Sequence, residues 1–185
     1  MSGDHGEKGA TAGSSRHVDT WTAITSRRDV REFDGRPIPD ADLDQILEAG
    51  RRSPSSSNWQ PWDFIVVTDR RQLTELAGVW RGGGHVAKSA ATIALIAPAA
   101  DERRRAPFDL GQAAMSIMLA AAGLGIGSGH SAVGDQELAQ KLLGFPEDKI
   151  CAFLIPLGYP AGRPLAPISR PDRRPLDEVV HRGRW

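Results

Sequence analysis

The spacing of apolar positions changes along the chain, and the changes mark out its elements. After Pro39, the segment Asp40-Ala41-Asp42-Leu43-Asp44-Gln45-Ile46-Leu47 sets apolar residues at i, i+3 and i+4 behind an N-capping Asp40. That predicts an amphipathic helix ending near Gly50. Trp62 to Thr68 is short, β-branched and aromatic, the pattern of a buried strand, and Gln72 to Val79 returns to helical spacing. Ala91 to Ala97, closed by Pro98, predicts a second strand. Asp109-Leu110-Gly111-Gln112 resembles a capping box and opens the largest apolar stretch, Ala113 to Ile126. Asp135 to Leu143 predicts a helix stopped at Gly144, Ile150 to Leu157 a strand, and Leu176 to Val180 a short helical piece.

The stretch from Ala113 is too short and too rich in Gly and Ala for a membrane span, yet it has no polar face. Either a single core surrounds it or a second subunit shares it. Residues 1–19 carry glycine and serine and almost no large apolar side chain, so they are expected to form a disordered tail ahead of one folded domain over residues 20–185. Helices and strands alternate without strict period, which indicates an α+β or α/β sandwich.

Composition narrows the function. The 185 residues hold 23 Lys plus Arg and 23 Asp plus Glu, and a net charge of zero gives no global reason to expect nucleic acid or an anionic membrane. Of the 23 cations, 19 are Arg, and a guanidinium fork grips phosphate through two oxygens. The one cysteine, Cys151, sits in an apolar run and reads as a buried, inert thiol. The N-terminus lacks the apolar core of a signal peptide, so a cytoplasmic setting is expected. The chain shows no His, Cys and carboxylate set with metal spacing and no Gly-x-Ser-x-Gly elbow.

Two arginine clusters, Arg27-Arg28-Asp29-Val30-Arg31 and Arg182-Gly183-Arg184-Trp185, stand at opposite ends of the chain. They are either solvated surfaces that never meet or two walls of an anion site. Between a helix end and a buried strand, Pro54-Ser55-Ser56-Ser57-Asn58-Trp59-Gln60-Pro61 offers hydroxyls and carboxamides that can form turns or read the edge of a planar heterocycle. Gly82-Gly83-Gly84 lacks the Lys-Ser/Thr of a P-loop. With Trp80 and His85 it reads as a mobile surface loop or a cover for a substrate pocket, and Arg103-Arg104-Arg105 reads as a solvated turn.

In order and spacing, Arg27-Arg-Asp-Val-Arg31-Glu-Phe33, Ala49-Gly50, Pro54 to Trp62, Asp109-Leu-Gly-Gln112, Gly123-Leu-Gly125, Leu142-Leu-Gly144, Gly158-Tyr-Pro160 and the closing Arg184-Trp185 resemble the FMN-dependent nitroreductase family, from about Trp21 to the end. The resemblance implies an α+β three-layer sandwich with a central, mostly antiparallel sheet and flanking helices. It also implies an interlocked homodimer with FMN at the subunit interface, held by residues of both chains. Carried over by position, Arg27, Arg28 and Arg31 would surround the phosphate and ribityl chain, with Arg184 and, less closely matched, Arg182 joining them. Ser55, Ser56, Asn58 and Gln60 would lie against the flavin, and Ser131-Ala132-Val133 would supply a backbone N–H to flavin N5. His85 and His130 are candidates for touching substrate.

The implied activity is an oxidoreductase in which NAD(P)H reduces the flavin at N5 and a small acceptor, nitroaromatic or quinone, then takes its place, with no catalytic side chain required. A flavin or deazaflavin binding module without turnover is the alternative. Two departures bear on either reading. Asp29 stands where most members carry Ser, and a carboxylate repels phosphate unless it turns toward an Arg. The loop Gly129 to Gly134 is smaller and more polar than expected.

Overall fold

The computed structural model describes residues 18–101 and 105–185. The expected tail lies outside the described residues as far as residue 17, as do Arg103 and Arg104 of the basic turn.

Among the described residues, six α-helices and four strands follow one another: α1 (Thr20–Ser26), α2 (Asp40–Arg51), β1 (Asp63–Val67), α3 (Arg70–Leu76), β2 (Ala91–Pro98), α4 (Ala106–Gly123), β3 (Gly127–Ser128), α5 (Gln136–Leu143), β4 (Lys149–Gly158) and α6 (Leu176–Val179). The strands form one antiparallel sheet in the order β1-β2-β4-β3. β2 is buried along seven of its eight residues, so its side chains feed two cores in alternation. Ile93 and Leu95 face a core with Ile46 of α2 and Ile117 of α4. Ala94 and Ile96 face one with Leu73 and Leu76 of α3 and Ala139 of α5. Helix, sheet, helix is therefore the layering, the three-layer α+β sandwich expected. Full burial of an Ile or Leu is worth about 1.5–3 kcal/mol, so the two faces together supply the main cohesion.

A register shift between Leu95 and Ile96 leaves Ala152 of β4 without a partner. Such a bulge reverses the side-chain parity beyond it. Cys151 and Leu154 consequently share the α3/α5 face while Ile155 and Leu157 serve the other. Burial pushes the Cys151 thiol up to about 12, which agrees with the inert thiol expected.

Helix starts differ from expectation at three places. α1 escapes the periodicity argument; it is set by Asp19, whose carboxylate accepts from the Thr22 N–H at 3.0 Å. α2 is entered through Pro39, with Asp40 and Asp42 already helical in its first turn, where acidic groups favour the dipole. α4 begins at Ala106 rather than Asp109, its Ala106 N–H donating to Asp101 Oδ2 at 2.7 Å. Asp109 is fully buried inside the first turn and serves another segment. By contrast, Asp135 caps α5 through the Leu138 N–H at 2.9 Å and Gly144 ends it at φ +72°, as the sequence predicts.

Candidate functional site

Beyond α1 the chain runs extended along the edge of β3. The Val30 N–H donates to the Ser128 carbonyl at 2.8 Å, and Asp29 bridges Ser128. The approach requires glycine on the facing strand: a Cβ at Gly127 would meet Val30 Cγ2 at 2.7 Å, and one at Gly129 the Val30 carbonyl at 2.8 Å. Farther on, Asp34 N–H donates to Tyr159 O and Ala161 N–H to Glu32 O, tying the segment to the chain leaving β4. Burying Val30 leaves Arg28 and Arg31 to line a pocket of about 190 Å³ with Glu32, Pro160, Gly162 and Arg163. Three guanidinium groups face one carboxylate there. Arg28 donates to the Arg163 carbonyl, which fixes the fork of one arginine beside the backbone of another.

Arg27 is not among the residues lining that pocket. Its two Nη atoms donate to Asp29 Oδ1 at 3.2 and 3.1 Å, and its Nε is buried with no hydrogen-bond partner among the described residues. Asp29 has thus turned toward an arginine, which offsets part of its charge. His130 shares this neighbourhood. Partial burial of its ring, 5.7 Å from Phe153, lowers its pKa below the ordinary imidazole value; the Asp29 charge opposes that shift and Arg27 reinforces it.

The loop carrying His130 is braced from behind. His85 is buried, not displayed at the pocket surface: its Nδ1 faces the Gly82 carbonyl at 3.2 Å and its Nε2 the His130 carbonyl at 3.0 Å. Gly134 packs on Trp80, and its N–H donates to the Val79 carbonyl at 2.9 Å. The Gly82–Gly84 segment is a tight turn closed by Gly83 N–H to Trp80 O at 2.8 Å. Ser131 exchanges backbone hydrogen bonds with Leu154 in both directions at 2.9 Å. Within 131–133 the Ala132 and Val133 amides have no partner among the described residues.

The segment Ser55 to Gln60 is built differently. Ser57, Asn58 and Gln60 have φ of 54°, 55° and 52°, a left-handed region that costs a side-chain-bearing residue on the order of 1 kcal/mol or more. The strain is held by hydrogen bonds. The Ser56 N–H donates to both Asp109 oxygens at 3.2 and 3.1 Å, the Gln60 N–H to Ser55 Oγ at 2.9 Å, and Gln60 Nε2 to Asn58 Oδ1 at 3.2 Å. Gln112 Nε2 reaches the Pro54 carbonyl at 3.3 Å. Arg105 adds a contact from Nη1 to Ser56 Oγ at 3.2 Å and lies 5.3 Å from the centre of the Trp59 ring. The result is a polar loop displayed at the surface in one fixed shape.

One chain does not bring these parts together. The Ser55–Gln60 loop is anchored at Asp109, one end of α4, whereas Asp29 bridges Ser128 beyond the other end. Fourteen residues of helix from Asp109 to Gly123, at 1.5 Å each, separate them by roughly 20 Å. Arg182 and Arg184 also stay apart from Arg27. Past Ile168, whose N–H donates to Thr25 O at 3.0 Å, residues 169–185 make hydrogen bonds and ion pairs, among the described residues, only with one another. Trp185 ends the chain 97% exposed, 4.0 Å from the His181 ring.

Sequence reasoning reads Asp109 as a helix cap and Arg105 as part of a solvated turn, and it passes over Arg163. A carboxylate interrupting an apolar helix is a usable sign for Asp109; nothing in spacing distinguishes the other two.

The fold recurs in solved flavin enzymes. The structure of an FMN-dependent nitroreductase of Clostridium difficile superposes with a TM-score of 0.76 at 25% identity, covering 88% of this chain and 98% of that one. The NADPH:FMN oxidoreductase of Vibrio harveyi, solved with NAD+, gives 0.75 at 26% identity over 88% and 76% of the two chains. In sequence, an Archaeoglobus fulgidus protein with the provisional name NADH dehydrogenase/NAD(P)H nitroreductase is 33% identical over 171 residues, 88% of this chain and 96% of its own. Residues 24–83 and 77–159 match the profile of the nitroreductase family. The chain belongs to that family of oxidoreductases. No helix among the described residues is long and apolar enough to cross a membrane.

Proposed function

We propose that this chain is an FMN-dependent NAD(P)H oxidoreductase, acting as a homodimer on nitroaromatic, quinone or similar small acceptors. The observation that carries the reading is the arginine arrangement. Arg28, Arg31 and Arg163 converge on one pocket, and Arg27, next to it, keeps a buried unpartnered Nε. Clustered cations and an orphaned buried donor are costly without an anion, and a phosphate fits both. The remaining donors suit the rest of FMN: Ser55, Ser56, Asn58 and Gln60 offer polar groups to a ring edge, and the Ala132 and Val133 amides are available to a ring nitrogen.

When bound, the flavin supplies the hydride chemistry. The chain's work is to hold the phosphate, keep the ring donors in one geometry and admit reductant and acceptor to the pocket in turn.

The roughly 20 Å between the two halves supports a dimer. A second copy with its α4 antiparallel would set the Ser55–Gln60 loop of one chain against the arginines of the other. Met115 of α4 is exposed in the single chain, as are Leu176 and Trp185 of the tail. Arg182 and Arg184 would reach the phosphate through that assembly.

The test is the visible spectrum of the purified, desalted protein, before and after anaerobic NADPH and then NADH. A flavin spectrum that bleaches is the expected result. Bound flavin that neither nucleotide bleaches would overturn the reductase reading, and a colourless protein that takes up no added FMN would overturn the cofactor assignment as well.

A further inference from the structure

A second pocket, of about 490 Å³, opens between the Ser55–Ser56 strand of the loop and the first turns of α4. We propose that Arg105 makes it an anion subsite, selecting acceptors that carry a carboxylate on an aromatic ring; the inference deepens the flavin-oxidoreductase reading and rests on it.

The guanidinium of Arg105 is fixed by two contacts, Nη1 on Ser56 Oγ at 3.2 Å and the Trp59 ring beneath it at 5.3 Å. Its Nε is buried and lacks a hydrogen-bond partner among the described residues. Nη2 makes no hydrogen bond among the described residues and, unlike Nε, is not buried, so it is the donor left for a carboxylate oxygen. Among the described residues the lining holds one acidic group, Asp109, which is fully buried, with its oxygens accepting from the Ser56 N–H and within 3.4 Å of Gln112 Nε2. Asp101, nearby, is turned to the Ala106 N–H at the start of α4. The wall also holds Pro54 and Phe108, 72% exposed, together with the polar Ser55, Ser56 and Gln112. A cation sharing a pocket with an exposed aromatic ring, beside the loop assigned to the flavin edge, recognises an aryl carboxylate by charge and by stacking.

Phosphate shares the oxyanion chemistry, so the experiment separates the two. Benzoate, inorganic phosphate and NADP+ are titrated calorimetrically into the FMN-loaded wild type and the Arg105→Gln and Arg105→Lys variants. Flavin absorbance serves as the control for folding. Benzoate is expected to bind the wild type and to lose roughly tenfold or more in Arg105→Gln, the scale of one charge-assisted hydrogen bond, with partial recovery in Arg105→Lys. The kcat/KM ratio for 4-nitrobenzoate over 4-nitrobenzyl alcohol should fall by a similar factor. Equal benzoate affinity in wild type and Arg105→Gln would overturn the proposal. So would a loss confined to phosphate or NADP+, which would give the arginine to the nucleotide. If FMN does not bind at all, the same titration on the flavin-free protein decides: Arg105-dependent benzoate binding keeps the subsite and sinks the flavin reading, and its absence sinks both.

Discussion

The two ends of α4 carry the two halves of the proposed site, and they are held by opposite means. At the β3 end the backbone is relaxed: Val30 lies against Gly127 and Gly129, and the arginines are displayed from a paired, extended segment. At the Asp109 end the backbone is strained at Ser57, Asn58 and Gln60 and is held in place by one buried carboxylate and a few amides. The first design tolerates side-chain exchange and fails if the backbone is pushed away. The second fails when its anchor is removed, because the strain then has nothing to oppose it.

That contrast can be broken most severely from either backbone. Gly129→Val sets branched carbons against the Val30 carbonyl, where a Cβ alone already comes to 2.8 Å. Urea unfolding should show a loss on the order of 3 kcal/mol, the upper range of overpacking, together with loss of bound FMN. Asp109→Asn keeps the shape of the anchor while weakening it, and a destabilisation of roughly 2 kcal/mol is expected, with new protease cleavage between Ser55 and Gln60. No change in either measure would remove Asp109 from its anchoring role.

Side-chain changes at the arginine end should leave stability nearly intact and alter affinity. Arg28→Ala is expected to raise the FMN Kd about tenfold to a hundredfold, as loss of a charged hydrogen bond does. Asp29→Ser works in the other direction. It releases Arg27 from its 3.1 Å ion pair and removes a negative charge, so fluorescence titration should show FMN binding tighter by a few-fold. Weaker binding would mean that Asp29 orients Arg27 rather than competing for it.

The smallest effect is a pH dependence. His130 has a lowered pKa in the folded chain because its ring is partly buried. Between the unfolded value near 6.5 and the lower folded value, the unfolded chain binds more protons, so this group subtracts stability as pH falls through that window. His130→Gln should flatten the stability profile slightly between pH 7 and 5, measured by thermal unfolding.

What the sequence made legible follows the same division. β2 and β4, α2 and α5 have periods or caps that local chemistry fixes, and Asp135 and Gly144 bound α5 as they should. The arginines of 27–31 and the Ser55–Gln60 loop were visible as candidates. Their arrangement was not. Asp109 looks like a helix start because an acid before an apolar run usually caps; here it answers the Ser56 N–H, 53 positions away, a demand no local window contains. α1 has seven residues and no clear stripe, so Asp19 is its main signal. His85, a candidate for touching substrate beside the Gly82–Gly84 glycines, turns its two ring nitrogens to the carbonyls of Gly82 and His130, contacts that no local pattern announces. Arg105 and Arg163 sit in irregular segments, where charge has no periodicity to read.

The length of α4 has a genetic consequence. In a symmetric dimer each chain would lend its arginine end to one site and its loop end to the other. An Arg28→Ala chain and an Asp109→Asn chain, each defective alone, would then complement when co-expressed: a mixed dimer concentrates both lesions in one site and leaves the other whole. Random pairing would restore on the order of one site in four.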